Sequence, residues 1–534
     1  MLRPVAGLAC AALALACLVP LASAQDAGPK PLPPEKQIFV FNVNAEPETL
    51  DPAIMTGVPE HTLATALFEG LTTHHPENLE PLPGAAESWE ISPDRLTYTF
   101  HLRKDGRWSN GDPVTAEDFV WSWRRAVDPA TASQYAYMLY PIKNAEAVNK
   151  KKVDSTAELG VRAADPHTLV VTLERACAYF LDLACFETLM PVHRATVEKH
   201  KDKWITAENI VSNGPFNLEE WKPRERLVLV PNPRWWNAPS VRLQRIVALT
   251  IDDNDVAYNK YLNSEVDWIR AVPLPRIDEI KKNPDFFAYP YLGSYFYRVN
   301  VTKPPFEDVR VRKAFNLAID KVAICRDVIK SGEIPSGGHV PPGIPGWKGI
   351  QGLPFDRKEA QRILAEAGYP DGKGFPKVDL LYNTSESHKV IAEVIVQMWK
   401  ENLGVTVGLY NTEWKVYLDN VDHLNYQVAR AGWIGDYTDP NTFLDMFVTG
   451  GGNNNTGWSN ARYDELIALA AREADPAKRM DHFREAEKIL CADELPIIPI
   501  YFYVNKGAIR PRVQGWYPNI RDHHPFQYVW LSEE

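Results

Sequence analysis

The stretch KVDLLYNTSESHKVIAEVIVQMWKENLGVTVGLYN, Lys377 to Asn411, has the pattern of a strand, a helix and a second strand. Between the two strands, apolar residues recur at the spacing of one helical face, at Val390, Ile391, Val394, Ile395 and Met398. Gly404 then predicts the end of the helix, because glycine readily adopts the left-handed conformation found there. A βαβ unit joins parallel strands, so this stretch predicts an α/β fold with a mainly parallel sheet.

The next strand ends in ARAGWIGDY, Ala429 to Tyr437, which carries an isolated cation and an isolated anion. Arg430 and Asp436 flank Trp433, and neither charge has an opposite charge beside it in the sequence. In α/β sheets, ligands bind beyond the carboxyl ends of the strands, which is where this segment lies. Two explanations remain open at this point: a local salt bridge, or a ligand that supplies both missing charges.

Composition limits the class of protein. The chain has 534 residues, of which 45% are hydrophobic and 24% charged, and its net charge is −11. A chain of this length can bury large cores and predicts several domains or one multi-lobed body. The acidic balance argues against a nucleic-acid-binding protein, which would carry a basic face.

The N-terminus predicts export. Arg3 precedes an apolar segment, and the small residues Ala22 to Ala24 form a cleavage site before Gln25, so residues 1–24 are predicted to be a cleaved signal peptide. An uncleaved membrane anchor is the competing interpretation, because Val5 to Ala22 comprises 18 apolar residues. A lipid anchor on Cys17 is a third. The alanine-rich composition and the small-residue cleavage site favour removal, and we expect a mature protein in the periplasm.

Four cysteines follow the signal segment, at Cys177, Cys185, Cys325 and Cys491. In an oxidising compartment Cys177 and Cys185 could form a disulfide that closes a short loop, or both could be buried apolar side chains. If they lie in one continuous helix, their spacing corresponds to about 12 Å of rise, which is too far for a disulfide. The sequence leaves both alternatives open.

No local motif indicates catalysis, a metal or a cofactor. The chain lacks the nucleophile elbow, the dinucleotide-binding glycine pattern and the spacings of zinc sites. The adjacent pairs His74–His75 and His523–His524 are interpreted as surface loops, and TGGGNNNTG, Thr449 to Gly457, as a flexible loop. We therefore expect no enzymatic activity, no cofactor and no metal, although an exported hydrolase with dispersed catalytic residues stays as an alternative.

Several longer motifs carry a family resemblance. The segment AAESWEISPDRLTYTFHLRKDGRWSNGDPVTAEDFVWSW, Ala85 to Trp123, resembles the signature of the family 5 extracellular solute-binding proteins of ABC importers. More narrowly, four segments are similar to the periplasmic oligopeptide-binding proteins: IVSNGPFNLEEWK, KPPFEDVRVRKA, LLYNTSESHK and VARAGWIGDYTDP. The motifs occur in the family's order and cover the chain from Lys36 to Tyr528.

The resemblance implies a two-lobed clamp of the periplasmic-binding-protein kind (a Venus flytrap, type II-like) with an extra inserted domain. The implied division is lobe I at 25–68, 195–292 and 505–534, an additional domain at 69–194 inserted in lobe I, and lobe II at 293–504. The chain would cross between the lobes near Tyr291 to Gly293 and near Tyr503 to Asn505, and these crossings would act as hinges.

The resemblance also implies roles for individual residues. Asp436 occupies the place of the acid that holds the α-ammonium of a peptide, and Arg430 that of the arginine that meets the carboxylate of short peptides. His388 occupies the place of a histidine that meets the carboxylate of longer peptides. The remaining positions that line the cleft or pair with the peptide backbone are Asn383, Gly432, Trp433, Val58, Tyr135, Tyr291, Trp414 and Tyr503.

The chain departs from the family pattern at a few positions. A lysine that some relatives use for the carboxylate of a longer ligand aligns with Ile329, and Lys330 follows one position later. A cysteine pair of some enteric relatives aligns with Gly293 and Ile434, and an acidic residue near their cleft aligns with Thr56. These departures leave the preferred peptide length open and retain the amine anchor.

The function implied by the resemblance is capture of short peptides through their termini and backbone. The protein would act as a monomer and deliver the peptide to an inner-membrane ABC permease with its ATPase subunits. The same clamp could instead bind a murein peptide, a metal chelate or haem.

Overall fold

A computed structural model describes residues 29–177, 179–344, 346–473 and 475–533. The predicted signal peptide, residues 1–24, lies outside the described residues. The strands are β1 (Ile38–Asn42), β2 (Thr72–His74), β3 (Pro81–Pro83), β4 (Ala86–Ile91), β5 (Thr97–Leu102), β6 (Val161–Asp165), β7 (Thr168–Thr172), β8 (Phe216–Lys222), β9 (Arg226–Pro231), β10 (Arg245–Leu249), β11 (Trp268–Ile269), β12 (Phe286–Val299), β13 (Ile334–Pro335), β14 (Val378–Asn383), β15 (Val407–Thr412), β16 (Val428–Ile434), β17 (Ile497–Ile509), β18 (Val513–Gln514) and β19 (Trp530–Leu531).

The α-helices are α1 (Val58–Leu67), α2 (Ala116–Val127), α3 (Ala145–Asn149), α4 (Phe180–Leu183), α5 (Arg194–His200), α6 (Asn254–Leu262), α7 (Ile277–Ile280), α8 (Val309–Leu317), α9 (Lys321–Ala323), α10 (Arg357–Glu366), α11 (Glu386–Leu403), α12 (Trp414–Asp422), α13 (Asn441–Leu444), α14 (Ala461–Ala470) and α15 (Pro476–Lys488). Within the described residues, none of these helices has both the length and the apolar character that crossing a membrane requires.

One large sheet connects the two lobes of the molecule. Its strand order is β15–β14–β16–β12–β17–β11–β1–β10–β9–β8, and β13 pairs with β17. Strands β14–β16 belong to the second lobe, and β1 with β8–β11 belongs to the first. Parallel pairing occurs inside each lobe, where β14 lies between β15 and β16 and β1 lies between β10 and β11.

The sheet as a whole is mixed, and the expectation of a mainly parallel sheet is wrong. The chain passes between the lobes in two long strands, β12 and β17, which run in opposite directions and pair with each other. Strand β12 also pairs antiparallel with β16, and β17 pairs antiparallel with β11. The strands that cross between the lobes therefore make the centre of the sheet antiparallel.

The βαβ unit is confirmed as β14, α11 and β15, with β14 and β15 parallel. Gly404 caps α11 in the left-handed conformation, at a φ of 71°. The buried face of α11 includes Ile391, Ile395 and Trp399, while Val394 and Met398 pack at the edge of the same core. This packing fixes the carboxyl ends of β14 and β16 side by side.

The predicted hinges coincide with the two crossing strands. The pairing of β12 with β17 is regular up to Pro290, loses its register, and resumes at Ser294. The irregular stretch covers the predicted crossing at Tyr291 to Gly293, and the second predicted crossing lies within β17. The domain boundaries themselves remain predictions.

A separate four-stranded sheet, β4–β5–β7–β6, forms the centre of the inserted domain. Helix α2 begins with a capping box of Thr115 and Asp118, in which the backbone N–H of Thr115 donates to Oδ2 of Asp118 at 2.7 Å. The inserted domain packs on the second lobe, and the ring of Tyr179 stacks on that of Tyr437 with centroids 4.3 Å apart.

Three smaller predictions are corrected by burial. Cys177 and Cys185 are free and buried, so the disulfide alternative is wrong for this pair. The histidine pairs are not surface loops: His74 and His523 are buried and their rings meet edge to face at 5.1 Å. The segment TGGGNNNTG is partly packed rather than free, because Asn454 is buried and donates hydrogen bonds to neighbouring carbonyl groups.

Candidate functional site

A cavity of about 410 Å³ lies between the two lobes, at the carboxyl ends of β14 and β16. This is the edge of the sheet at which the sequence predicts a ligand. All eleven predicted site residues line the cavity, which brings together Val58, Tyr135, Tyr291, Asn383, His388, Trp414, Arg430, Gly432, Trp433, Asp436 and Tyr503. Their roles toward a ligand stay predictions.

Asp436 lies just beyond the end of β16 and holds a carboxylate without a cationic partner. Its Oδ2 accepts a hydrogen bond of 3.0 Å from the hydroxyl of Thr442, and its N–H donates to the same hydroxyl. Burial, and next the nearby carboxylate of Glu187, raise the pKa of Asp436 well above its ordinary value, and Arg521 offsets this only in part. Among the described residues no ion pair forms at Asp436, so an ammonium group would stabilise its charged form.

Arg430 is the complementary case, a half-buried guanidinium without a carboxylate partner in the described part of the chain. Its Nη1 donates to the side-chain oxygen of Asn383 at 3.3 Å, and its Nη2 donates to the hydroxyl of Tyr503 at 2.8 Å. The guanidinium carbon lies 4.9 Å from the ring centroid of Tyr295, and Nε makes no hydrogen bond. Both contacting oxygens are neutral, so the cation remains uncompensated.

The two charges do not neutralise each other. Arg430 and Asp436 are six residues apart, which corresponds to roughly 20 Å along an extended strand. The local salt bridge considered from the sequence is therefore not present. A ligand with an ammonium at one end and a carboxylate at the other could satisfy both groups at once.

His388 lies in the first turn of α11 and faces the same cavity. Burial, and next the charge of Arg430, lower the pKa of His388 well below its ordinary value, so the ring is neutral near pH 7. Its Nδ1 has no hydrogen-bond partner, and the ring centroid lies 5.7 Å from that of Tyr295. His388 can therefore offer a hydrogen bond to a ligand oxygen, rather than a positive charge.

One edge of β16 is open toward the cavity. Strand β14 pairs with β16 only at Val428 and Ala429, so on that side the backbone from Arg430 onward has no strand partner among the described residues. Gly432 lies in this part of β16, and a Cβ at that position would come within 2.6 Å of the hydroxyl of Tyr503, so the glycine permits the close approach of that ring. An extended chain can add to such an edge through main-chain hydrogen bonds.

Aromatic side chains form much of the wall. The rings of Tyr135 and Trp433 stack with centroids 5.9 Å apart, and those of Trp414 and Tyr417 stack at 5.5 Å. The indole N–H of Trp433 has no acceptor in the described structure. Such walls provide apolar area and tolerate side chains of varied shape.

Sequence reasoning missed several residues of the site. Glu187 of the inserted domain lines the cavity, and its Oε2 lies 2.8 Å from Nδ1 of His61. Arg270 and Asp522 also line it and form a buried ion pair. These residues come from segments far apart in the chain and without a local motif, so only the folded structure brings them together.

The departures from the family pattern have structural consequences. Ile329 lines the cavity and is fully buried, whereas Lys330 adopts a positive φ and pairs with Asp278 at 2.7 Å. Gly293 faces Ile434 across the β12–β16 pair. At this end of the cavity Ile329 therefore presents an apolar surface.

Within the described ranges, no three His, Cys, Asp or Glu side chains converge as a metal site would require.

Comparison with known proteins identifies relatives along most of the chain. The family model described as "Bacterial extracellular solute-binding proteins, family 5 Middle" matches residues 80–455. The periplasmic oligopeptide-binding protein OppA of Escherichia coli is 40% identical over 493 residues, which cover 90% of each chain. A crystal structure of Haemophilus influenzae OppA in complex with the peptide RPPGFSPFR has a TM-score of 0.90 and 37% identity, and covers 93% of this chain and 99% of that one.

A third relative bears on the arrangement of the lobes. The murein tripeptide binding protein MppA of Escherichia coli has a TM-score of 0.89 and 36% identity, and covers 93% of this chain and 99% of its own. An unliganded open form of MppA has the same sequence identity and covers 95% of this chain, but its TM-score is only 0.63. The lobes of this chain therefore do not stand in the open arrangement, and the two-lobed clamp is closed around its cavity.

Proposed function

Because the chain belongs to the bacterial extracellular solute-binding proteins of family 5, we propose that it captures short peptides between its lobes and delivers them to an ABC importer. The observation that carries this proposal is a pair of charges without ion-pair partners, one on β16 and one just beyond its end. Among the described residues, Asp436 lacks a cation and Arg430 lacks an anion, and both face one closed cavity. A free peptide is the simplest ligand that supplies an ammonium and a carboxylate on one extended chain.

In the proposed complex, the α-ammonium binds the carboxylate of Asp436. Removing a carboxylate from water is costly, and a charged amine at hydrogen-bond distance relieves that cost. Glu187 adds a second negative charge near the same end of the cavity. The peptide is thus held in one direction, with its amino end beyond the end of β16.

The carboxylate of a short peptide binds Arg430, whose planar guanidinium suits a two-point contact with a carboxylate. A longer peptide would extend past Arg430 toward His388, which is neutral and can only donate a hydrogen bond to the terminal oxygen. The loss of the charged partner weakens the attraction for longer peptides. We therefore propose a preference for the shortest peptides that span Asp436 and Arg430.

Between the termini, the peptide backbone adds to the open edge of β16. Gly432 leaves room for the approach, and Val58 at the start of α1 lies on the opposite wall. Main-chain hydrogen bonds do not depend on side-chain identity, so this mode accepts many sequences. Tyr135, Trp433 and Trp414 would then contact the side chains.

The family and the relatives are solute-binding transport proteins, and we infer a transport role without enzymatic activity for this chain. OppA and MppA are described as periplasmic, which supports export and removal of residues 1–24 here. The proposed partners are an inner-membrane permease and its ATPase subunits. The receptor would act as a monomer.

A second candidate cargo is a murein peptide. The similarity to MppA, with 36% identity and a TM-score of 0.89, is almost equal to that to Haemophilus influenzae OppA. Murein peptides also carry a free amine and a carboxylate, so the same two anchors would serve them.

The proposal is tested by native mass spectrometry of the mature protein, followed by calorimetric titration after any bound ligand has been removed. A co-purified series of short peptides, and saturable binding of trialanine, are the expected results. A co-purified murein tripeptide that binds more tightly than trialanine would establish the second candidate. If neither trialanine nor the murein tripeptide binds, the peptide function is overturned.

A further inference from the structure

Building on the proposed peptide-binding function, we propose that Arg298 forms a side-chain subsite that selects peptides with an acidic side chain. Arg298 lies near the end of β12 and is only 8% exposed, yet it lines the cavity between the lobes. It is a second arginine of the cavity, separate from the proposed carboxylate anchor Arg430.

The guanidinium of Arg298 has unused hydrogen-bonding capacity. Its Nη2 donates to the backbone carbonyl of Asn453 at 3.0 Å, and its Nε has no partner. In the chain segments that the structure describes, Arg298 makes no ion pair within 4 Å. The guanidinium carbon lies 5.8 Å from the ring centroid of Phe296. A ligand carboxylate that reaches the free Nε would further stabilise this buried cation.

The terminal carboxylate bound at Arg430 cannot serve this purpose, because the two arginines lie on opposite faces of the sheet. Along β12, Tyr295 faces Arg430, whose guanidinium lies 4.9 Å from its ring centroid. Phe296 points the other way and packs on His339 at 4.8 Å, and strand alternation places Arg298 on the side of Phe296.

A peptide that lies along the open edge of β16 is also extended, so successive side chains project to alternate faces of the sheet. Its terminal carboxylate reaches Arg430 on one face. A side chain then enters the region of Arg298 on the other face. A side-chain carboxylate of the peptide would there supply the ion-pair partner that Arg298 lacks among the described residues.

Asp422 is an acid that also lines the cavity near Arg298, and it accepts hydrogen bonds from other groups. Its Oδ2 accepts from Gln134 at 2.7 Å and its Oδ1 accepts from Asn455 at 3.0 Å. Burial raises the pKa of the Asp422 carboxyl group. When a second carboxylate approaches, Asp422 can therefore take up a proton, which removes the repulsion between the two groups. The cations near Asp422 are Arg298 and His423, and Glu48 is an acid near it. Among the described residues, Nε of Arg298 keeps its donor free.

Calorimetric titration with a series of tripeptides tests this subsite: Ala-Ala-Ala, then Glu, Gln or Lys placed in turn at each of the three positions. At one position we expect the Glu peptide to bind about tenfold more tightly than the Gln peptide. Equal affinity of Glu and Gln peptides at every position would overturn the proposal. Failure of trialanine itself to bind would instead overturn the underlying peptide function, so the two failures are distinguishable.

Two variants provide matched controls. Arg298→Met should abolish the preference for Glu and leave the affinity for trialanine within about threefold, whereas Asp422→Asn should retain or increase the preference. The wild-type comparison of Glu with Gln peptides stands even if Arg298→Met does not fold. A preference for Lys that disappears in Asp422→Asn would show that Asp422 defines the subsite and would contradict the proposal.

Discussion

The ring of Tyr135 stacks on the ring of Trp433, with 5.9 Å between centroids and 17° between planes. Tyr135 belongs to the inserted domain and Trp433 to β16 of the second lobe, so this contact forms only when the two bodies meet around the cavity. Tyr135→Ala should weaken trialanine binding by about tenfold, because an aromatic pair contributes up to ~1.5 kcal/mol beyond its buried area. Tyr135→Phe keeps the stacked ring and should bind like the wild type in the same titration. Wild-type affinity in the alanine variant would contradict a role for this contact in closure.

Arg430 provides a test of the carboxylate end. In Arg430→Gln, the affinity for trialanine should fall by about 2–5 kcal/mol, the range for removing one member of a buried charged pair. Trialanine amide lacks the terminal charge and serves as the control ligand. It should bind the variant and the wild type equally, and an equal loss with both ligands would show that Arg430 has a structural role instead.

How far the sequence predicted this site depends on whether a residue lies in a contiguous motif. Asp436, Arg430 and His388 were identified because each stands in a local pattern that a linear comparison can match. Glu187 and Arg298 were not, because their positions in the cavity depend on the packing of the inserted domain and on the strand alternation of β12.

The mixed character of the sheet was missed for a similar reason. A βαβ pattern reports its own parallel pairing and carries no information about the strands that cross between lobes.

The burial of histidines shows the same limit. His74 and His523 are adjacent to second histidines in the sequence, which suggested polar surface loops. In the structure their rings pack together across more than four hundred residues of chain, and burial lowers the pKa of His74 to about 4. The tertiary contact therefore keeps the imidazole of His74 neutral to a lower pH than an exposed histidine would allow.

Closure of the empty clamp should depend on pH through Asp436. Its pKa is raised well above the ordinary value in the closed cavity, whereas in an open cleft it would lie near 3.9. Closing without ligand therefore takes up a proton, so the closed fraction should rise as the pH falls toward the ordinary value. Small-angle X-ray scattering of ligand-free protein at about pH 5 and about pH 8 measures this as a smaller radius of gyration at the lower pH. In Asp436→Asn, the difference in radius of gyration between the two pH values should shrink. An unchanged difference would mean that other titratable groups cause it.

The buried pair of Asp522 and Arg270 is predicted to stabilise the fold near the hinge. Burial alone would raise the pKa of Asp522, but Arg270 and His524 outweigh it and lower the pKa below the ordinary value. A depressed pKa contributes stability that is present above the unfolded value near 3.9 and is lost as the pH falls below it. Asp522→Asn leaves Arg270 buried without its anion and should reduce the free energy of unfolding by about 3–5 kcal/mol at neutral pH. Thermal unfolding of the wild type and of Asp522→Asn, from neutral to acidic pH, measures this loss of stability. Equal stability of the two proteins at every pH would contradict the prediction.

The central claim is that Asp436 binds the α-ammonium of a peptide. The most direct measurement is a titration of trialanine and of N-acetyl-trialanine against the wild type and Asp436→Asn. We expect the free peptide to bind the wild type several kcal/mol more tightly than the acetylated peptide, and Asp436→Asn to remove this difference. Equal affinity of the wild type for the two peptides would contradict it.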